Sequence, residues 1–249
     1  MSIDISEAAG VRYLHFGSAW IQGAMRIARP WALELEYTRE MMLALLLRPE
    51  RAWPRRVLLV GLGSASLTKF LYRHRPDARL TAVEIDPRVV AAARQFFKLP
   101  DDPHRIAIVI RDAADYVMAD VGPFDLILVD GFDADARAGV LDTVPFYLNC
   151  RARLGAEGLL IANLLSRRGT HRDSAKRLGE AFDGRALALP RSDSGNAIAI
   201  AATGTGMRMR LADLKCEARS LKANTGLNLA PLLARLEQAQ TCRGGFFEL

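Results

Sequence analysis

With 249 residues, half of them hydrophobic and a quarter charged, the chain has ordinary globular composition and room for one substantial domain with additions or two small ones. No apolar run approaches the ~18 residues of a membrane span, and the first residues lack the basic-then-apolar order of a signal peptide, so a cytoplasmic protein is expected. The net charge of +6 and the pI near 9.5 raise the question of nucleic acid, but the arginines fall in short scattered groups without interleaved aromatics, and no nucleic-acid partner is expected.

In chain order, residues 11–16 and 20–27 flank Gly17-Ser18 and read as a β-hairpin. Apolar residues at helical spacing predict a helix over 33–47, closed by Pro49 and Pro54. The unbroken Val57-Leu58-Leu59-Val60 has the pattern of a strand buried on both faces. A tight turn, Gly61-Leu62-Gly63-Ser64, leads to a helix that Ser64 is placed to cap. Further strands are predicted at 79–85, 106–110, 124–129, 158–162, 185–189 and 196–202, with helices between most of them. One of those helices starts at Pro87, one near Asp112, one ends about Leu154, and one spans 171–182. This alternation predicts an α/β fold around a mostly parallel seven-stranded sheet with right-handed crossovers. The domains read as an N-terminal hairpin region (1–35), a Rossmann-like nucleotide-binding domain (36–206) and a C-terminal helical appendage (207–249). In the last, helices 211–221 and 229–238 precede a loose tail at Gly244-Gly245, and Leu229, Leu232, Leu233 and Leu236 form a stripe expected to pack on the parent domain.

Open α/β sheets bind ligands beyond the carboxyl ends of their strands. Gly61 and Gly63 occupy the first such turn, where a missing side chain lets a ligand near the backbone. Glu84 ends the second strand, placed to accept hydrogen bonds from a ribose diol, and Asp112 follows the third, placed for an adenine amino group or simply as a helix cap. Asp130 ends the fourth, above which the reactive part of a nucleotide would lie. A dinucleotide fingerprint wants a third glycine where Ser66 stands, so an S-adenosyl nucleotide is the better fit. Cys150, Cys216 and Cys242, like the four histidines, lack metal-ligand spacing, and no metal is expected.

Over roughly residues 11–205 the chain resembles the spermidine synthase (polyamine aminopropyltransferase) family. The resemblance rests on Val57 to Gly63, Val83-Glu84-Ile85-Asp86-Pro87, Arg111-Asp112-Ala113 and, above all, the Asp-x-x-Asp formed by Asp130 and Asp133. It implies aminopropyl transfer from decarboxylated S-adenosylmethionine to a polyamine, with Asp133 as base and Asp130 orienting the substrate. It further implies nucleotide contacts from Gln22, Gly61, Gly63, Ser64, Glu84, Asp86, Asp112, Ala113 and Asp130, an amine site touching Tyr37 and Glu40, and a homodimer. The family's acid in the glycine turn is Ser64 here, and Arg39 stands near the amine segment. A methyltransferase using S-adenosylmethionine, or a non-catalytic nucleotide-binding protein, therefore stays open as an alternative.

Overall fold

The computed structural model describes residues 2–18, 20–132, 138–165, 171–192 and 195–249, with the backbone alone described at Leu165 and His171. An N-terminal antiparallel sheet comprises β1 (Asp4–Ala8), β2 (Val11–His15) and β3 (Gly23–Arg26), in that order. The expected hairpin is the β2–β3 pair, with Val11 opposite Arg26 and Leu14 opposite Gly23. The additional strand β1 escaped the sequence pattern because it is almost entirely exposed and shows no apolar alternation; it is held as an edge strand by β2.

The predicted helix over 33–47 is instead two short helices, α1 (Glu36–Met41) and α2 (Ala44–Leu47). Every residue from Met41 to Leu47 is buried, so packing on all sides, rather than one amphipathic stripe, directs the chain here.

The main sheet then builds through β4 (Arg56–Val60), α3 (Ser66–His74), β5 (Arg79–Glu84), α4 (Pro87–Phe96), β6 (Ile106–Ile110), α5 (Ala113–Met118) and β7 (Phe124–Val129). It continues with α6 (Val144–Ala152), β8 (Leu154–Leu165), α7 (His171–Ala181), β9 (Ala186–Ala188) and β10 (Asn196–Ala202). The strand order is β6-β5-β4-β7-β8-β10-β9; β10 runs antiparallel to both of its neighbours, and the other pairings are parallel. This is the expected α/β architecture, a mostly parallel seven-stranded sheet. On β4, Val57 and Leu59 enter the core on one face while Leu58 and Val60 enter the core on the other, which is why the strand reads as an unbroken apolar run. The order in which successive strands are added reverses between β4 and β7, and that is the switch point at which such sheets take ligands.

Two local expectations are corrected. Ser64 does not cap α3: Ala65, with φ +56°, precedes the helix, and the Ser64 hydroxyl bonds the Ser66 hydroxyl at 2.9 Å. The tail is not loose: β12 (Phe246–Glu248) pairs with β11 (Arg208–Arg210), and the Phe247 side chain is fully buried. Between them, α8 (Leu211–Thr225) and α9 (Ala230–Gln238) put Leu214, Leu221, Leu232, Leu233 and Leu236 into the same core as Leu59 and Leu128 of the sheet. The leucine stripe packs on the parent domain.

Candidate active site

A cavity of about 620 Å³ lies over the carboxyl ends of β4, β5, β6 and β7. Its opposite wall comes from the segment between β2 and β3, including Phe16, Trp20, Ile21 and Gln22, and from the start of α1. Gly23 brings these walls together: a Cβ on it would lie 2.4 Å from the Ser64 Oγ, so only glycine lets β3 sit on the glycine turn.

Each acid at a strand end is held by a different device. Glu84 is buried, and its two oxygens accept separately from the Leu62 amide at 3.0 Å and the Asp86 amide at 3.1 Å. A carboxylate offers about four lone-pair directions, so each oxygen keeps one for the cavity it lines. Asp112 caps α5 by accepting from the Ala114 amide at 2.7 Å, and it lines the cavity with Ala113. Cap and wall are the same residue.

Asp130 joins three segments. Its Oδ1 accepts from the Asn163 amide group at 2.9 Å and its Oδ2 from the Tyr37 hydroxyl at 3.1 Å. Asn196 donates in turn to the Asn163 Oδ1 at 2.9 Å. Burial pushes the Asp130 carboxyl above its ordinary range, and the hydrogen bonds from Asn163 and Tyr37 oppose that shift. The Tyr37 phenol is held well above its own ordinary value by burial, then by the nearby Asp130 charge. It stays a donor at neutral pH.

Of the predicted nucleotide residues, the structure brings Gln22, Gly61, Gly63, Glu84, Asp112, Ala113 and Asp130 to this one cavity. Gly61 has φ +90°, and a Cβ there would stand 2.4 Å from the Asp130 carbonyl oxygen; its freedom serves the approach of β7. Gly63 faces only the Gln22 carbonyl, at 3.5 Å from an added Cβ, and leaves the turn open. Ser64 is buried and lines a small hollow under the turn. Asp86 is off the cavity wall: it caps α4 by accepting from the Arg88 amide at 2.9 Å, and it pairs with the Arg88 guanidinium, which holds its pKa down. Asp133 lies outside the described residues.

On the amine side, Tyr37 lines the cavity but Glu40 does not. Glu40 is buried against Arg235 of α9, and Glu36, one helical turn earlier, faces the cavity instead. Glu40, expected at the amine site, therefore stands off the cavity wall, because its place in α1 turns it toward α9. Sequence reasoning missed Glu36, Asn163 and Asn196. Asn163 left one trace, a lone polar residue inside the apolar run of β8. Among the described residues, no group of three or more His, Cys, Asp or Glu side chains is arranged to hold a metal ion, and no helix is long and apolar enough to cross a membrane.

Residues 36–176 match the Spermine/spermidine synthase domain. The chain belongs to the spermine/spermidine synthase family. Within this family of transferases, it is 34% identical to a polyamine aminopropyltransferase of Neisseria meningitidis, over 99% of this chain and 93% of that relative. Among solved structures it is similar to a probable spermidine synthase from Corynebacterium glutamicum, with TM-score 0.74 and 19% identity over 89% of this chain and 84% of that one. It is also similar to human methyltransferase-like protein 13 in complex with SAH, with TM-score 0.69 and 24% identity over 78% and 93% of the two chains. These structural likenesses bear on the fold, which the family shares with S-adenosylmethionine-dependent methyltransferases.

Proposed function

We propose that the protein transfers an aminopropyl group from decarboxylated S-adenosylmethionine to a polyamine acceptor. The observation that carries this reading is the charge of the cavity. On a chain of net charge +6, the described residues of its wall include four carboxylates (Glu36, Glu84, Asp112 and Asp130) against one guanidinium, Arg111. Such a wall favours a nucleotide bearing a sulfonium and an ammonium, and an acceptor that is itself cationic. Glu84 suits the ribose hydroxyls, Asp112 the adenine amino group, and Asp130 the reacting end.

The amine nitrogen attacks the methylene carbon beside sulfur, the carbon–sulfur bond breaks, and its electron pair stays on sulfur as the neutral thioether methylthioadenosine. An alkylamine is protonated at neutral pH, with a pKa near ~10, and must first give up that proton. In this reading Asp133 takes it, while Asp130, fixed by Asn163 and Tyr37, orients the nitrogen through its remaining lone pairs. The expected site is cytoplasmic and metal-free, and the protein acts as a homodimer.

One observation favours a second reading. Ser64 brings no negative charge to the glycine turn, which removes one repulsion against the carboxylate of the S-adenosylmethionine that a methyltransferase would use. Calorimetric titration with S-adenosylmethionine, its decarboxylated form and methylthioadenosine separates the two. Tighter binding of the decarboxylated form and methylthioadenosine is expected; preference for the carboxylated form would move the assignment to methyl transfer.

A further inference from the structure

Of the four carboxylates that the described residues bring to the cavity wall, three are held by amides or by the Asn163–Tyr37 pair, but Glu36 is not. It pairs with the Arg235 guanidinium, at 3.4 Å. That arginine arrives from α9, almost two hundred positions along the chain, and is fixed on its other sides. Its Nε donates to the Pro190 carbonyl at 3.3 Å, and a terminal nitrogen donates to Glu40 Oε1. Glu40 is 3% exposed, and its Oε2 has no hydrogen-bond partner, so Arg235 cannot leave without stranding a buried charge. The guanidinium is therefore anchored on the core side, and its loosest bond faces the cavity. Glu36 also immediately precedes Tyr37, the residue that holds Asp130.

We propose that Glu36 receives the second, non-reacting ammonium of the acceptor, and that Arg235 is the positioning residue that holds Glu36 for it. The proposal rests on the aminopropyl-transfer reading. It gives the C-terminal helix a part in choosing the acceptor, through a charged fork that ties α9 and the segment before β10 to α1.

The test uses the full chain loaded with methylthioadenosine and titrated calorimetrically with putrescine and with n-butylamine, which has the same carbon chain and one nitrogen. The unmodified protein is expected to prefer putrescine by ~10-fold or more, the scale of one charge-assisted hydrogen bond. Glu36→Gln is expected to erase that preference while leaving methylthioadenosine affinity within about twofold. Arg235→Gln is expected to weaken putrescine binding selectively, and Arg235→Lys to restore most of it. Should Arg235→Gln fail to fold with Glu40 unpaired, the double variant Glu40→Gln/Arg235→Gln removes both members of the buried pair and is read the same way.

A putrescine preference that survives Glu36→Gln, or Arg235 variants that lower Tm with putrescine affinity unchanged, would overturn the proposal. Loss of the preference in Glu36→Gln, without aminopropyl transfer by the unmodified protein to any amine, would refute the reaction and leave the assignment of Glu36 supported.

Discussion

At Asp130, burial and hydrogen bonding pull in opposite directions, and the balance sets the pH at which the carboxylate is ready. Burial holds the proton on, while Asn163 and Tyr37 help to release it. Removing one donor leaves burial less opposed, so Tyr37→Phe should raise the Asp130 pKa further. A step that needs the carboxylate is lost as pH falls through that pKa, so the acidic limb of kcat/KM should move to higher pH, by ~1–2 units for one hydrogen bond to a charged group. A pH–rate profile of Tyr37→Phe with its acidic limb unmoved would separate the phenol from the acid. The position of Asp130 was legible in the sequence because it ends a buried apolar strand. Of its holders, Tyr37 was read only as an amine-site residue and Asn163, with Asn196 behind it, not at all, since the three come from three elements and meet only once the sheet is assembled.

Two contacts at the scale of elements make sharper demands than propensity does. Gly23→Ala would drive a Cβ into the Ser64 side chain and 3.0 Å from its backbone nitrogen, separating β3 from the glycine turn. Nucleotide affinity should fall, and Ser64→Gly in the same chain should restore part of it, with a coupling of ~0.5–3 kcal/mol in a double-mutant cycle; strict additivity would show that the two elements do not meet. Lys69 of α3 is buried and donates to the carbonyl of Phe97, where α4 ends, at 2.7 Å. Burial, and then the like charge of Lys98, bring its pKa down to about 7. Between that value and the ordinary ~10.4, the unfolded chain holds a proton that the folded one has released, so this contribution to stability rises with pH. Lys69→Met should remove that rise, which approaches ~1.4 kcal/mol per pH unit at most, and denaturant midpoints of the two proteins across this window would show it. Parallel profiles would mean that the lysine stays charged in the fold.

Over the whole molecule, the strands of the main sheet and their acidic ends could be read in advance because buried parallel strands carry their own apolar signature; the order in which the strands lie could not, since it is set by crossovers that leave no local pattern. The C-terminal segment could not be read fully. Its leucine stripe showed a packing face, but the pairing of β11 with β12 joins three-residue strands almost forty positions apart, and no local pattern marks them. Since α8 and α9 complete the core under the sheet, a chain ending at residue 206 should show no cooperative unfolding transition. Leu236→Ala, at a fully buried position, should cost ~2–5 kcal/mol by chemical denaturation. A stable, cooperatively folding 1–206 fragment would make the last segment a true appendage.

The asparagine pair beside Asp130 bears on how the sheet finds its own alignment. From Asn196, β10 reads Ala-Ile-Ala-Ile-Ala-Ala, with Ile198 and Ile200 in one core and Ala197, Ala199 and Ala201 in the other. A slip of two residues along β8 would return each isoleucine to the face it left, so hydrophobic burial alone discriminates poorly between alignments. The bond from Asn196 to Asn163 ties a diagonal pair, with Asn196 opposite Leu165 and Ile198 opposite Asn163, and a slip that carries Asn196 the other way along β8 breaks it. A strand misaligned in that direction would leave Asn163, one of the two groups that hold Asp130, without its own anchor, so the pairing of β10 reaches as far as the carboxylate at the end of β7.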